Sequence, residues 1–570
     1  MTAQTLQLNL VDSLIARGLP TWLGSASEDQ LSKLRTCLLQ QQRIQHRLAA
    51  VFSRITPLDD FAKALLDKAL SDRQLPALDV RQVMLRRTTL LPGASVVPGG
   101  AGTSVSEVSE VTLLAAALHN FAEQEASPAG TLQTHLIVDA HGAAQAVSPE
   151  TYVALCRRVD VGGCYQRHLE SILLAPGGEG QQVAALLEEA ARANLEADVR
   201  LAVLKGEIDH RTYLQVLPVI STVPVVDSDT ARLLPFELRV LGKQLQGVVA
   251  FEARRTGPSS AALEGVVLWV PGDSHGALQR YATWDELWRH LAQRCQAQGY
   301  AAFMQRFVSE RDRCAFSGTL RRLLQARAGA LPIQLDGRSQ AVVAPLFQHL
   351  RKVRLDTVLD DARVLATPTD EANQAERERR ESGYASAGLD LLGLASLFVP
   401  VLGLPLLGIA ALQIADEVYE GYADWQLGDR EGALEHLWGV AENLAAGVAL
   451  ASIGLAAGRL IERSAYVDGL VPVLTQLDEV RLIDANLPGY AVLDQGLAVG
   501  ERASVAGQVH VRTHLATYQV VEDAQEAGLR IRHPNRSGAY SPWLDDNGQG
   551  GWRHQLETPQ HWRGATQLMH

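Results

Sequence analysis

Hydrophobic positions recur at helical spacing through most of the first 130 residues. Ser27 and Gln30 form a capping box, in which each side chain satisfies a free backbone N–H at the start of a helix. The apolar residues of 31–55 then repeat at helical spacing until Pro57 ends the pattern. Similar patterns follow in "LDDFAKALLDKAL" and "SEVTLLAAALHNFAEQEA". The sequence therefore predicts a helical N-terminal domain over residues 1–130.

The pattern changes near residue 131, where short β-branched runs begin to alternate with helical segments. "THLIVD" predicts a strand, and Ser148 followed by Pro149 predicts the start of a helix. "GVVLWVPGD" predicts a further strand, and "TWDELWRHLAQRC" predicts a helix. After residue 465, short strand-like runs such as "QVHVRTHLATYQVVED" are separated by Gly and Pro. We expect an α+β domain over 131–365 and a small β-rich module over 463–570.

Two apolar runs lie between these regions. The first, Leu391 to Ala415, holds 25 consecutive residues without a charge, and the second, Asn443 to Gly458, holds 16. A densely charged, helix-prone segment after Pro368 precedes them. The pattern predicts a charged helix and an apolar helical hairpin over 366–462. The whole chain is thus predicted to be a multi-domain, predominantly helical α+β protein.

The lengths of the two runs bear on whether this hairpin crosses a membrane. As helices they would measure about 37 Å and about 24 Å, against about 30 Å for a bilayer core. The second run reaches across only if it includes Leu437–Ala441, which brings Glu442 into the bilayer. We hypothesise that the following residues enter a membrane: Leu391, Leu394, Phe398, Leu402, Leu406, Ile409, Leu412, Leu444, Val448 and Ile453.

An acidic connector, residues 416–442, joins the two runs. Its carboxylates are Asp416, Glu417, Glu420, Asp424, Asp429, Glu431, Glu435 and Glu442, and Arg430 alone offsets them. An ionised carboxylate in a bilayer costs about 2.5–3.5 kcal/mol, and protonation lowers that cost. The pattern therefore favours a hairpin that stays in water at neutral pH and inserts in acid, with these carboxylates as the switch.

Burial in an ordinary protein core fits the same two runs. Pro400 and Pro405 break the first run into shorter pieces, each of a length typical of core helices. Helices that are apolar on all sides also occur in the centres of large soluble proteins. Because the apolar pattern alone does not separate burial from insertion, both interpretations stay open at this point.

Composition narrows the classes of function. A chain of 570 residues predicts several domains, and 47% hydrophobic residues is typical of folded, water-soluble proteins. A net charge of −12 argues against nucleic-acid binding, since Lys and Arg supply most of that affinity by neutralising phosphates. Five scattered cysteines predict reduced thiols, and the N-terminus shows no Sec-type signal pattern.

No pattern of residues predicts a catalytic, cofactor or metal site. Cys156, Cys164 and His168 lie close together in the sequence but lack the paired spacing of zinc ligands. Asp273 and His275 in "PGDSHG" suit acid–base chemistry, although such residues are commoner in turns, where they bond their own backbone. We therefore expect no catalytic activity and no cofactor in this chain. An enzyme with an unusual site between 131 and 365 stays open as a third interpretation.

Several segments, taken together and in order, resemble the N-terminal "dermonecrotic toxin-like" domain of large bacterial toxins and effectors. They include "LPTWLGSASEDQLSKLR", "LLAAALHNFAEQEA", "LCRRVDVGGCYQRHL", "LWVPGDSHGALQRYATWDELWRHL", the apolar pair and "AYSPWLDDNGQGGWRH". Some such proteins end in leucine-rich repeats and a bacterial-type ubiquitin ligase domain. The resemblance implies a role in toxin delivery or targeting, ahead of an effector domain that this chain does not include.

These observations lead to two hypotheses of function. In the first, the chain is the delivery or targeting region of a bacterial toxin or effector, with acid-favoured insertion of the apolar hairpin. In the second, it is a non-enzymatic interaction scaffold that presents a downstream effector domain to host or secretion partners, and the hairpin is ordinary core. We expect a host membrane or host protein as partner and no nucleic acid. We also expect synthesis in a bacterial cytoplasm, followed by export or injection into a target cell.

Overall fold

The computed structural model of the chain contains two compact units. It describes residues 10–91, 105–126, 133–139, 141–221, 232–255, 263–297, 299–325, 333–372, 414–453, 465–492, 496–505, 507–523, 528–546 and 551–557. The central unit takes its residues from 43–199 and 207–404, and the N/C unit takes its residues from 1–42, 200–206 and 405–570. The division of the sequence into four domains stays a prediction.

Groups of helices and groups of strands follow one another along the described chain. The helices are α1 (Leu10–Gly18), α2 (Thr21–Gly24), α3 (Glu28–Phe52), α4 (Leu58–Asp72), α5 (Leu113–His119), α6 (Pro149–Val159), α7 (Val161–Leu173), α8 (Gly178–Leu204), α9 (His210–Ile220), α10 (Trp284–Cys295), α11 (Tyr300–Gln305), α12 (Glu310–Gln325), α13 (Leu346–Leu365), α14 (Leu427–Ile453) and α15 (Ala465–Asp468). The strands are β1 (Met84–Leu91), β2 (Val105–Thr112), β3 (Gln133–Val138), β4 (Arg232–Val240), β5 (Lys243–Arg254), β6 (Leu263–Trp269), β7 (Leu278–Tyr281), β8 (Arg338–Ala341), β9 (Tyr419–Glu420), β10 (Val471–Leu474), β11 (Val480–Ile483), β12 (Ala491–Val492), β13 (Arg502–Val505), β14 (Gln508–Arg512), β15 (Thr517–Glu522), β16 (Leu529–Ile531), β17 (Trp543–Asp546) and β18 (Trp552–His554). The fold is mixed α and β with several sheets, and helix exceeds strand, as the sequence predicts.

The described residues of the central unit form two antiparallel sheets and include two large hydrophobic cores. One sheet has the strand order β2-β1-β3, and the other has the order β7-β6-β5-β4-β8. Buried Ala250 and Leu268 of the larger sheet belong to the same core as Leu291 of α10. The other core gathers residues of α4 to α8 and α13, with Leu66 and Leu169 among its fully buried members. In the first of these cores helices pack against the larger sheet. In the other core helices pack mainly against one another.

Helix starts in the structure follow the local capping signals. The backbone N–H of Ser27 donates to Gln30 Oε1 at 3.0 Å, and the N–H of Gln30 donates to Ser27 Oγ at 3.3 Å. Ser148 Oγ accepts from the N–H of Thr151 at 3.2 Å, with Pro149 at the first position of α6. Both predicted helix starts are confirmed, because these bonds involve residues only three positions apart.

The structure differs from the helical prediction for the first 130 residues at β1 and β2. The two strands pair antiparallel, with Thr88 opposite Val108. Thr112 ends β2 and caps α5, because its Oγ1 accepts from the N–H of Ala115 at 3.1 Å. The first residues of "SEVTLLAAALHNFAEQEA" are therefore strand. A partner strand decides this, since the valines of "VSEVSEVT" recur at every third position, a spacing closer to the helical period than to the alternation of a strand.

The backbone packs tightly against Gly162, near the start of α7. A Cβ atom at Gly162 would lie 2.5 Å from the carbonyl oxygen of Ala366. We expect Gly162→Ala to lower the free energy of unfolding by about 1–3 kcal/mol, because backbone cannot move aside as a side chain can. Gly318→Ala in α12 is the matched control: a Cβ there meets nothing within 4 Å. That change should stabilise the protein by about 0.5–1 kcal/mol. Thermal unfolding of both variants tests this, and equal shifts would contradict it.

The N/C unit joins α1, α2, α14 and α15 to two sheets. In the smaller sheet, of order β10-β11-β9, β11 runs parallel to β9 and antiparallel to β10. The larger sheet has the order β13-β14-β15-β16-β17-β18, and β12 pairs with β15. Buried Val511, Tyr518 and Ile531 belong to its core. Short strands predominate after residue 465, as the sequence pattern predicts.

The structure gives no support for the predicted membrane hairpin. Residues 373–413 and 454–464 lie outside the described residues, and with them almost all of the first apolar run and the end of the second. The described part of the second run belongs to α14, which begins at Leu427 and carries four carboxylates of the acidic connector. Of the helices that the structure describes, none is both long enough and apolar enough for a bilayer crossing.

Candidate functional site: the acidic connector

The structure describes only part of the predicted membrane-inserting set. Leu391, Leu394, Phe398, Leu402, Leu406, Ile409 and Leu412 lie outside the described residues. Leu444, Val448 and Ile453 lie on α14, and the Leu444 side chain is half-buried. Ile414 and Ala415, the last two residues of the first run, are buried. The acidic connector between the runs is described in full.

The segment of α14 that the hairpin hypothesis recruits into a bilayer is core in this structure. Leu437, Trp438, Val440 and Ala441 are each at most 2% exposed. The Nε2 atom of His436 on the same helix lies 2.7 Å from Oδ1 of Asp12 in α1, and both side chains are buried. Crossing a membrane would require this part of α14 to leave its packed position.

Buried aromatic rings hold the first half of the acidic connector against α14. The ring of Trp425 lies 5.4 Å from the rings of Tyr419, Tyr422 and Tyr466, measured between centroids. The hydroxyl of Tyr419 donates to the carbonyl oxygen of Ala433 at 2.9 Å, and that of Tyr422 donates to the carbonyl oxygen of Arg430 at 2.9 Å. The connector is therefore a packed element with its polar groups bonded.

Two connector carboxylates meet cations from the β-strands and loops that follow. Glu420 is buried, with one oxygen 3.9 Å from Arg481 and the other 3.6 Å from Arg536. The Oδ2 atom of Asp424 lies 3.1 Å from Arg536 and 3.0 Å from Nε2 of His533. Buried carboxylates need such partners, because an unpaired charge away from water is costly.

Gly489 makes room for this ion-pair network. Its φ of +81° lies in the left-handed region, which favours glycine. A Cβ at this position would lie 2.6 Å from Cγ of Asp424. Both the backbone conformation and the close approach of the carboxylate therefore require glycine here.

The second half of the acidic connector pairs with α3. Arg35 donates to Glu442 at 3.1 Å and also to Glu435, so one guanidinium bridges two carboxylates on α14. The side-chain amide of Gln42 donates to Glu431 at 2.7 Å. Asp429 is half-buried in the first turn of α14, where a carboxylate interacts favourably with the helix dipole.

Asp416 and Glu417, the first two carboxylates after the apolar run, have raised pKa values. Nearby protein atoms desolvate the Asp416 carboxyl group and raise its pKa to about 6, although the residue as a whole is exposed. Asp424 and Glu420 add to the rise by repulsion, and Arg536 and Arg481 oppose it. Desolvation also raises the pKa of Glu417. Asp416 therefore takes up a proton in mildly acidic solution while the protein is folded.

The pKa of Asp416 sets a direction for the pH dependence of stability. Its folded value of about 6 lies above the ordinary value of about 3.9. The stability it contributes is therefore fully present below that ordinary value and is lost as pH rises through about 6. We expect Asp416→Asn to raise the urea midpoint at pH 7.5 and to leave it nearly unchanged at pH 4. A variant with the wild-type pH profile would contradict this.

Sequence reasoning named the acidic residues of this site and missed their partners. Arg35, Arg481, Arg536 and His533 come from elements far away in the chain. Arg35 and Glu435 are 400 positions apart. A net excess of acid in one segment signals that cations are needed, but it does not say which ones.

Cys156 and His168, considered above as candidate zinc ligands, have packing and hydrogen-bonding roles in the structure. Cys156 is buried, which raises the pKa of its thiol to about 12, so it stays protonated. The Nε2 atom of His168 accepts from the backbone N–H of Thr56 at 3.1 Å, and burial lowers the pKa of His168. A neutral imidazole acceptor suits that bond. In the part of the chain that the structure describes, no group of three or more His, Cys, Asp or Glu is arranged to hold a metal ion.

Asp273, the candidate acid–base residue of "PGDSHG", holds a turn. One carboxylate oxygen accepts from the hydroxyl of Tyr300 at 2.6 Å, and the other lies 2.6 Å from Arg294. The oxygen that faces Arg294, Oδ1, also accepts from the backbone N–H of His275 at 2.9 Å. With both oxygens engaged, the carboxylate locks the turn after β6 to α10 and α11.

Comparison with known proteins finds a family match for the central part of the chain. Residues 52–311 match the family of the dermonecrotic toxin N-terminal domain. The predicted resemblance is thereby confirmed for the segments that lie within this range, such as "LLAAALHNFAEQEA" and "LCRRVDVGGCYQRHL". The matched dermonecrotic toxin domain is a toxin-associated region and includes the Asp273 turn, whereas the acidic connector lies outside the match. No curated protein matches the chain.

Proposed function

We propose that this chain is the delivery region of a bacterial toxin, and that its first apolar run, Leu391–Ala415, enters a membrane as the pH falls. The match of residues 52–311 to a dermonecrotic toxin domain supports the toxin context. The observation that carries the acid step is the position of Asp416. It follows the apolar run directly, and its carboxyl group has a pKa of about 6.

Protonation of Asp416 would lower the energy needed to place the end of the run in a bilayer. An ionised carboxylate in a membrane costs about 2.5–3.5 kcal/mol on insertion scales, and a neutral one costs less. Because Glu417 also has a raised pKa, acid would neutralise both charges next to the run. The next carboxylate, Glu420, is buried among Arg481 and Arg536 and would stay with the folded unit.

This proposal limits the predicted switch to its first two residues. Glu435 and Glu442 share Arg35, and Asp424 is paired with His533 and Arg536. These pairs fasten the connector to the rest of the N/C unit, so they oppose release of α14. The first run inserts in this proposal while the second run, with Leu437 and Trp438, remains core.

Dye release from liposomes between pH 7.5 and 4.5 tests the proposal. We expect release by the wild type near pH 6 and below, and loss of release when Leu406 and Ile409 are both replaced by aspartate. Asp416→Asn should shift the onset to higher pH. Asp285→Asn, which removes an exposed carboxylate from α10, is the matched control and should leave the onset unchanged. No release at any pH by a folded wild type would reject the acid step.

The second candidate function is an interaction scaffold that presents a downstream effector domain to host or secretion partners. The packed state of the connector favours it, since Tyr419, Tyr422, Trp425 and Trp438 are each at most 1% exposed. In that case the apolar runs are ordinary core, and charged substitutions at Leu406 and Ile409 would unfold the protein without any prior membrane activity. Circular dichroism of the liposome-test variants separates the two functions.

A further inference from the structure

The β10–β11 hairpin presents an apolar tip to solvent. Leu474 and Val480 face each other across the two strands and are 58% and 52% exposed. Leu477, in the turn between the strands, is 78% exposed, and Pro472 on the same side of β10 is also exposed. A solvent-facing strand surface normally carries polar residues. We name these four residues the hairpin tip.

An ordered turn holds Leu477 outward. The N–H of Thr475 donates to the carbonyl oxygen of Glu479 at 2.8 Å, and the N–H of Asp478 donates to that of Thr475 at 3.0 Å. Thr475 Oγ1 also accepts from the N–H groups of Leu477 and Glu479, at 3.4 Å each. Asp478 has a φ of +59°, in the left-handed region that Asp tolerates better than most residues. The tip is therefore a preformed, convex feature.

The other side of the hairpin is already used by the core. Val473 of β10 and Ile483 of β11 are buried, at 5% and 1% exposure, and belong to the core of the β-rich sheet. Since side chains alternate between the two faces of a strand, the tip residues cannot reach that core. Their apolar character does not come from folding of the unit.

The backbone edge of β10 is unsuited to pairing with another strand. β10 is the end strand of its sheet in the described residues. The N–H of Thr475 points towards the Glu479 side of the hairpin, so by strand alternation the backbone nitrogen of Pro472 points outward. Proline has no N–H to donate, and on an edge strand it commonly prevents pairing with a further strand. A binding partner must therefore contact the side chains of the hairpin tip and not the backbone edge of β10.

The size and chemistry of the tip fit a lipid surface better than a protein. Three aliphatic side chains at these exposures present roughly 300 Å² of apolar area, well below the ~800 Å² per partner that a stable protein interface buries. The tip also lacks the Trp, Tyr and Arg residues that dominate protein hot spots. A convex aliphatic tip can instead bury itself in the acyl boundary of a bilayer.

Charge around the tip selects the kind of lipid. Exposed Asp478 and Glu479 directly follow Leu477 in the turn. The nearest cation on these strands, Arg481, pairs with Glu479 at 2.8 Å and donates to the carbonyl oxygen of Asp416 at 3.0 Å. The surface beside the hairpin tip is thus net negative, and anionic lipid headgroups would repel it at neutral pH.

We propose that the hairpin tip docks the folded protein on a zwitterionic, phosphatidylcholine-type bilayer at neutral pH, by burying Leu474, Leu477 and Val480 in the membrane interface. This docking uses a segment outside the apolar runs and requires no proton. It therefore goes beyond the proposed acid step, and either can fail without the other. Docking would hold the N/C unit at a membrane before any acidification.

Co-sedimentation of the full chain with vesicles at pH 7.4 tests the docking proposal. We expect binding to phosphatidylcholine vesicles, and weaker binding when a third of the lipid is phosphatidylserine. Leu477→Asp should lower the partition coefficient about tenfold or more, because an apolar side chain in the interface is replaced by a charge. Val343→Asp is the matched control, since Val343 is a 99% exposed valine elsewhere in the chain. It should bind as the wild type does.

A second measurement locates the contact. Leu477→Trp keeps an apolar side chain at the tip, and brominated phosphatidylcholine should quench its added fluorescence, whereas Val343→Trp should gain no quenching. No binding of the wild type to phosphatidylcholine, or equal binding by Leu477→Asp, would overturn the proposal. If Leu477→Asp differed from the wild type in oligomeric state without lipid, the tip would be a protein contact, and the proposal would also be overturned.

Discussion

We expect Trp425→Ala to lower the free energy of unfolding of the N/C unit by about 3–5 kcal/mol, the range for truncating a large buried aromatic residue. The indole is 1% exposed and is surrounded by the rings of Tyr419, Tyr422 and Tyr466. Hydrogen bonds hold two of those tyrosines to α14. The cavity that alanine would leave therefore cannot collapse readily. Urea unfolding followed by far-UV circular dichroism measures the loss.

Trp425→Phe is the matched control for this substitution. The indole Nε1 has no hydrogen-bond partner among the described residues, so phenylalanine loses no bond and keeps most of the ring contacts. We expect a cost of about 1 kcal/mol, in the range of near-isosteric core changes. A Trp425→Phe variant as unstable as Trp425→Ala would show that the ring contacts are not what stabilises the connector.

Native-state proteolysis of the same variants reports on the connector directly. Residues 419–428 should resist cutting in the wild type and in Trp425→Phe, because the connector is packed and its tyrosine hydroxyls are bonded. Trp425→Ala should be cut there, since local opening becomes cheaper when buried contacts are lost. Rapid cutting of the wild type between Tyr419 and Gly428 would contradict the packed connector.

The second large effect is expected at the buried pair of Asp12 and His436. The Oδ1 and Nε2 atoms lie 2.7 Å apart, and the side chains are 3% and 0% exposed. We expect His436→Ala to lower the free energy of unfolding by about 3–5 kcal/mol, because it removes one partner of a fully buried polar pair. Chemical unfolding at pH 7 of the single and double variants measures this cost.

A double-mutant cycle separates the pair from its surroundings. Replacing both residues with leucine removes both polar groups, so Asp12→Leu combined with His436→Leu should be more stable than either single variant. The coupling energy is expected to be about 1–3 kcal/mol. Additive single effects would mean that Asp12 and His436 do not stabilise each other, and that only the volume of each side chain matters.

Much of the secondary structure could be predicted from local signals. Ser27 with Gln30, and Ser148 with Pro149, mark helix starts because the bonds that they make lie within one turn. β1 and β2 were missed because each depends on pairing with the other, and 13 residues (92–104) separate them in the sequence. The same reason applies to β9, a two-residue strand that exists through pairing with β11. Pairing over such distances leaves no periodic trace in a short segment.

The candidate site divides in the same way. The acidic connector was visible as a block of carboxylates, and its proximity to the apolar run was visible too. Which carboxylates have cationic partners was not, since Arg35 and Arg536 come from opposite ends of the chain. The raised pKa of Asp416 follows from atoms that folding packs around it. The membrane-inserting residues stay a prediction.

The sequence by itself determined the resemblance to the toxin domain, the mixed α and β class, and the apolar runs with the acidic connector between them, because all of these depend on the local pattern and order of residues. Only the tertiary structure decided that Leu437 to Ala441 are core, that Arg35 bridges Glu435 and Glu442, and that Leu477 projects into solvent. Burial and ion pairing depend on which distant segments meet. A hydrophobic or charged residue carries the same local signal whether it becomes core, partner or exposed tip.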